Sequence, residues 1–197
     1  MELIIAEYAG FCFGVERAIN IAQQTAKKST KPVGVLKGIV HNKHVVEQLK
    51  EKNVGTIEDI DHNNVVIISA HGATLQTYQQ LQQKKIEYVD TTCPLVTKIH
   101  KLIKYLANNN YKILLLGDKN HDEVLGEYSQ APDSIYIIKD ESDIENLDFA
   151  TLASSPLALV SQSTASVAQF EKISKYLKNK FPHLEIYNTI CEPVTLR

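Results

Sequence analysis

The feature that most constrains this chain is an alternation, run through twice, of short Ile/Val/Leu-rich segments with longer stretches in which apolar residues recur every three or four positions. A strand repeats every two residues and a helix every 3.6, so neither pattern can stand in for the other. The alternation therefore specifies βα units and a mainly parallel sheet. Strands are predicted at 2–8, 32–37, 64–70, 87–90, 112–117, 134–138, 157–161 and 184–188, and helices at 15–27, 42–52, 75–83, 95–108, 122–128, 141–146 and 167–181. Each round of about four strands closes on a cysteine, first Cys93 and then Cys191. The expected fold class is α/β, with two similar βα lobes, 1–93 and 94–197, each built on a mainly parallel sheet.

Composition narrows the function. Of 197 residues, 44% are apolar and 22% charged, which is ordinary globular usage, and a formal charge of −2 gives no footprint for nucleic acid, so no such partner is expected. The longest apolar runs, near 65–70 and 113–117, fall far short of the roughly 20 residues of a membrane span. Met1 leads directly into a predicted strand, and the expected location is cytoplasmic, with no membrane association. Three cysteines cannot pair off completely, which leaves reduced thiols or metal ligation for Cys12, Cys93 and Cys191.

In an open parallel sheet, ligands bind beyond the carboxyl ends of the strands, where loops and helix starts converge. The polar chemistry of this sequence collects at those ends: Gly10-Phe11-Cys12-Phe13-Gly14, His41-Asn42, His71-Gly72, Thr91-Thr92-Cys93-Pro94, Asp118 to Glu123, Gln162-Ser163-Thr164 and Thr189-Ile190-Cys191. The cysteines lie 81 and 98 positions apart, unlike a zinc ribbon or a ferredoxin run, and by spacing alone they read as small buried hydrophobes. Their position before helix starts argues for ligation, because a bound anionic cluster there would meet backbone N–H groups and a favourable dipole. Glycines at 10 and 14 would let backbone approach it closely. His41, His71 and His121 each follow a strand and could serve a phosphate or a metal, or be structural. Glu123 is either a first-turn helix carboxylate or, if burial raises its pKa, a general acid.

Taken together, the segments from Ala9 to Ala18, Val40-His41-Asn42, Ser69-Ala70-His71-Gly72 and Asp90-Thr91-Thr92-Cys93-Pro94-Leu95-Val96 resemble the motifs of the 4-hydroxy-3-methylbut-2-enyl diphosphate reductase family, in the family's order and spacing. The resemblance continues through Gly117-Asp118-Lys119-Asn120-His121-Asp122-Glu123-Val124 and Ser161-Gln162-Ser163-Thr164 to Ile190-Cys191. It implies a cytoplasmic enzyme of the non-mevalonate isoprenoid route that reductively removes a hydroxyl from an allylic diphosphate, giving isopentenyl and dimethylallyl diphosphates. It further implies a 4Fe–4S cluster on Cys12, Cys93 and Cys191, diphosphate contacts from His41, His71 and His121, and proton delivery by Glu123. Electrons are expected from a small redox protein, a ferredoxin or a flavodoxin.

Three departures from the family's pattern follow. Ser163 stands where the family usually has threonine, so the hydroxyl that orients substrate and Glu123 is kept and a methyl group is lost. Glu192-Pro193 follows Cys191 in place of the usual Ala-Thr, which requires Pro193 to sit in a first helical turn. The family's third αβ lobe is expected to be absent. The alternative to an active reductase is therefore a truncated, catalytically inactive remnant or fragment that folds and holds iron.

Overall fold

A computed structural model describes residues 10–39 and 42–196 of the chain. Two compact units, Met1–Thr97 and Lys98–Arg197, make up the chain. In the first, the elements run α1 (Phe13–Lys28), β1 (Val33–Leu36), α2 (Lys43–Glu51), β2 (Val54–Ile57), β3 (Val65–Ile68), α3 (Leu75–Gln83) and β4 (Tyr88–Asp90). Helix α4 (Pro94–Asn108) leads into β5 (Lys112–Leu116), α5 (Asp122–Tyr128), β6 (Ile135–Ile138), α6 (Glu141–Glu145) and α7 (Phe149–Ala153). The second unit then closes with β7 (Leu157–Ser161), α8 (Val167–Lys180), β8 (Glu185–Ile186) and α9 (Glu192–Thr195).

Among the described residues, each unit holds one four-stranded sheet, ordered β2-β1-β3-β4 in the first and β6-β5-β7-β8 in the second. Every pairing within them is parallel, with Val33 facing both Val54 and Val65 in one sheet and Ile113 facing Ile135 and Ala158 in the other. The α/β class with two similar lobes is thus what forms, and the common strand order gives the cysteine-terminated repeat of the sequence a structural counterpart.

Parallel strands covered by helices on both faces read as continuous apolar runs, and the central strands here do. In β3, Val65 and Ile67 pack with Ala18 and Ala22 of α1 and Val45 and Leu49 of α2. Val66 and Ile68 point to the other face, onto Leu81 of α3 and Ile86. In β5, Leu114 and Leu116 meet Phe170, Ile173 and Leu177 of α8, while Ile113 and Leu115 meet Ile99, Ile103 and Leu106 of α4. Each such side chain contributes roughly 1.5–3 kcal/mol on burial, which is what holds two thin sheets in layered form. Beyond the end of helix α4, Asn110 adopts the left-handed region (φ 61°), with Tyr111 N–H donating to the Leu106 carbonyl at 3.0 Å.

Several elements differ from the sequence expectation. Strand β2 was not predicted: it is four residues long and interrupted by Gly55, and it is recruited by pairing with β1 rather than by its own pattern. The short helix α7 was also unpredicted, whereas α9 is the helix start expected after Cys191, and both are defined by their first turns. Asp148 accepts from the amides of Ala150 and Thr151, and Pro193 occupies the first turn of α9, where it lacks no bond. The predicted strand at 2–8 lies outside the described residues. Among the described residues no helix is long and apolar enough to cross a membrane.

Candidate functional site

In the first unit, Cys12 is the N-cap of α1 and caps through its backbone, with Glu16 N–H donating to its carbonyl at 3.0 Å. Cys93 precedes α4 and is fixed by its own N–H, which donates to the Ala70 carbonyl just beyond β3 at 2.9 Å. Two residues earlier, the Thr91 hydroxyl donates to the Ile68 carbonyl at 2.5 Å. The loop between them is tied from two sides. Arg17 of α1 reaches the carbonyls of Thr91 and Thr92, and Asp90 accepts from the Thr92 hydroxyl and from Tyr78, whose phenol burial pushes above its ordinary range. Gly14 lies against Cys93 so closely that a Cβ there would stand 2.6 Å from the Cys93 Sγ. The start of α1, with Cys12 at its cap, and the Cys93 thiol therefore share one small space that only a residue without a side chain leaves open.

The second unit repeats the device. Cys191 is the N-cap of α9, and its N–H donates to the Ser163 carbonyl just beyond β7 at 2.8 Å. Two residues earlier the Thr189 hydroxyl donates to the Ser161 carbonyl at 2.5 Å and accepts from the Ser161 N–H at 2.8 Å. Each of these cysteines is thus stapled to the strand next to it by a threonine two positions before it. All three cysteines are half-buried.

Among the described residues, buried acid groups occur in the second unit. Helix α5 begins at His121, whose Nδ1 accepts from the Glu123 N–H at 3.1 Å, which leaves the ring proton of a neutral imidazole on Nε2. Glu123 is 1% exposed. Its Oε1 accepts from the Ser163 N–H at 2.6 Å and its Oε2 from the Ser163 hydroxyl at 2.9 Å. Burial pushes the Glu123 carboxyl above its ordinary value, against the lowering effect of Ser163 and of His121. One turn later Glu127 is fully buried, and burial together with the Glu123 carboxyl pushes it up further. A single chain of bonds thus runs from Glu123 through Ser163 to the Cys191 backbone. Such an arrangement favours a protonated carboxyl more than an exposed site would.

Of the residues singled out in the sequence, Glu123, Ser163 and Cys191 are joined by these bonds in the second unit, with His121 at the start of the same helix. His71 sits half-buried after β3 in the first unit, one residue before Gly72 at φ 80°. His41 lies outside the described residues. Among those described, no group of three His, Cys, Asp or Glu clusters as a single metal ion would require. Within the first unit the donors are thiols, Cys12 at the α1 N-cap and Cys93 beside the Gly14 space, which suit a thiolate-bound group better than a lone hard ion, and the second unit carries a thiol, Cys191, at the α9 N-cap. Sequence reasoning missed Glu127, the Tyr78–Asp90 tie and both threonine staples. The staples had a visible signal, Thr-x-Cys at 91–93 and again at 189–191.

The family profile described as LytB protein matches residues 3–197. The chain belongs to the LytB family. A curated LytB-family relative from Caldanaerobacter subterraneus subsp. tengcongensis, named 4-hydroxy-3-methylbut-2-enyl diphosphate reductase, is 38% identical over all of this chain and 69% of its own length. Another of that name, from Rhodopirellula baltica, is 39% identical over 93% of this chain and 58% of its own. The solved E-1-hydroxy-2-methyl-but-2-enyl-4-diphosphate reductase from Plasmodium falciparum superposes with a TM-score of 0.89 at 38% identity, covering 94% of this chain and 59% of that one. This LytB-family chain therefore spans about three-fifths to two-thirds of the length of the relatives it matches.

Proposed function

We propose that this chain carries two lobes, 1–93 and 94–197, of a cytoplasmic reductase that converts 4-hydroxy-3-methylbut-2-enyl diphosphate to isopentenyl and dimethylallyl diphosphates in the non-mevalonate isoprenoid pathway. The observation that carries this reading is the buried Glu123 carboxyl, held by both donors of Ser163, on a chain that along its own length is similar to part of named reductases. Cys12, Cys93 and Cys191 would hold a 4Fe–4S cluster. When bound, the cluster supplies, one at a time, the two electrons that reductive loss of a hydroxyl consumes. Those electrons come from a ferredoxin or a flavodoxin.

The residues of the chain bind the substrate and manage its protons. His41, His71 and His121 donate imidazole N–H groups to diphosphate oxygens, with His121 presenting Nε2 because its Nδ1 is committed to the Glu123 amide. Burial disfavours the Glu123 carboxylate, so this carboxyl binds a proton more readily than an exposed glutamate does. Ser163 then orients that carboxyl toward the departing hydroxyl, which leaves as water once protonated. The staple from Cys191 to Ser163 keeps the acid in register with the ligand loop.

The test is a fusion of this chain to the region of the Caldanaerobacter relative that lies beyond the match, loaded with iron and sulfide without oxygen and given substrate with a reduced viologen. Both five-carbon diphosphates are expected as products. A loaded fusion that forms neither overturns the reading. Iron retained by the unfused chain, loaded in the same way, without turnover favours the second reading, a folded fragment that holds iron and is catalytically inactive.

A further inference from the structure

Helix α1, which begins after Cys12, is held to its sheet by little apolar surface. Its buried residues are Gly14, Ala18 and Ala22, none larger than alanine, while Phe11 and Phe13 on either side of Cys12 are 50% and 66% exposed. Small residues let a helix approach closely but bury little area, so they fix its position weakly. The loop that ends on Cys93 is held far better, to β3 by Thr91 and by the Cys93 amide, and to α3 by Tyr78 through Asp90 and Thr92. The side chain that reaches this loop from α1 is Arg17. Its Nη1 donates to the Thr91 carbonyl at 3.3 Å and to the Thr92 carbonyl at 3.4 Å, and the Thr92 carbonyl belongs to the peptide unit whose N–H is that of Cys93. Gly14 and Arg17 lie three positions apart on α1, so the helix face that leaves space for the Cys93 thiol also grips the loop behind it. A guanidinium stays charged, yet its acceptors here are neutral carbonyls, and among the described residues no carboxylate pairs with it. A half-buried cation without a counter-charge is destabilising, and an anion bound beside it offsets that.

We propose that Arg17 is a positioning residue for the thiolate-bound group: it sets the spacing of Cys12 and Cys93 by tying α1 to the Cys93 loop, and its unpaired charge favours the more negative, reduced form of what those thiolates hold. The role in spacing stands on the first unit alone, and the role in charge rests on the iron–sulfur reading. Each electron taken from the one-electron protein donor adds one negative charge to the bound group. Arg17, one peptide unit from Cys93, stabilises the reduced form more than the oxidised one.

The spacing is tested on the iron-free chain carrying Cys191→Ala, in which Cys12 and Cys93 are the remaining thiols. Phenylarsine oxide condenses with two neighbouring thiols, forming two As–S bonds and releasing its oxygen as water, and it holds tightly only where both sulfurs reach one arsenic. One arsenical per chain is expected, with both thiols blocked, and a competing dithiol is expected to remove it about ten-fold faster from Arg17→Ala. Arg17→Lys, which keeps the charge but has no planar fork, is expected to fall between the two. A chain that does not bind the arsenical through both thiols, or an Arg17→Ala variant that releases it as slowly, overturns the spacing role. The charge is tested on the chain with all three cysteines, loaded with iron and sulfide without oxygen, by reductive titration followed with electron paramagnetic resonance. Arg17→Ala is expected to shift the reduction equilibrium about ten-fold toward the oxidised form, ~59 mV lower for a one-electron couple, with Arg17→Lys close to wild type. An arginine that only packs would not be replaced by lysine in this readout. An unchanged potential in Arg17→Ala, or a lysine variant as low as the alanine one, overturns the charge role. Should Arg17→Ala not fold, Arg17→Gln, which keeps a donor and loses the charge, is expected to show the same lowered potential, and an unchanged one overturns the charge role equally. A chain that takes the arsenical but no iron counts against the reductase reading and overturns the charge role with it, while the spacing role stands.

Discussion

The first unit and the second have the same strand order and tie a cysteine to the adjacent strand by the same threonine device, yet their interiors differ in one respect. Among the described residues, the buried polar side chains of the first unit are Ser69 and Thr91, both neutral. Those of the second include Glu123 and Glu127, with Gln162 and Ser163 beside them. A parallel sheet with helices on both faces serves equally well as a holder for a thiol and as a low-dielectric site for acids. What separates the two uses is a few side chains at strand ends, not topology. The first unit presents two thiols, and the second one thiol together with two buried acids.

The sharpest way to break this comparison is to remove the acid. Glu123→Gln keeps the shape of α5 and its bonds to Ser163 in part, but has no proton to give; kcat of the loaded fusion is expected to fall by about 10²–10⁴-fold, with iron content unchanged. If activity survives, the second unit has no special proton role. The effect of pH on stability tests the same asymmetry without catalysis. Both carboxyls are raised above the ordinary glutamate value of 4.5, so the folded second unit binds more protons than the unfolded chain above that pH. Stability is therefore expected to decline as pH rises from 4.5 through the raised values, and Glu127→Gln to flatten that decline in chemical denaturation.

Smaller effects sharpen the shared part. Thr189→Val removes a hydroxyl that both donates to and accepts from Ser161, leaving a buried N–H without its partner, and is expected to cost about 1–3 kcal/mol. Thr91→Val leaves the Ile68 carbonyl still bonded to the residue 91 amide, so it is expected to cost only about 0.5–1.5 kcal/mol. Equal costs in urea unfolding would mean that the two staples are mechanically alike. Gly14→Ala is expected to change fold stability by less than about 1 kcal/mol, since alanine favours a helix, while displacing the Cys93 thiol and lowering bound iron. An alanine variant that loads fully would mean that the space beside Cys93 is not needed.

Most of the fold was legible because its strands are buried on both faces: Ile113 to Leu116 could not belong to anything exposed. Val54-Gly55-Thr56-Ile57 was not legible, since a strand of four residues with a central glycine is made by its neighbour β1. At the site, the cysteines were readable from their place after strands, and Glu123 from its place after His121. Glu127 was not. In the sequence it is one more acid on a short helix, where a solvated face is the ordinary meaning, and only the packing of the second unit around it removes that meaning. The Ser163 bonds to Glu123 also span forty positions, which no local pattern encodes.

On the proposed reading, Cys12, Cys93 and Cys191 act as one ligand set. The direct measurement is purification without oxygen, with iron and sulfide determination and electron paramagnetic resonance, on wild type and on Cys12→Ala, Cys93→Ala and Cys191→Ala separately. A brown protein with about four irons, lost in each variant, is the expected result. A folded, colourless, iron-free protein, or iron that survives removal of any one of the three, would contradict it.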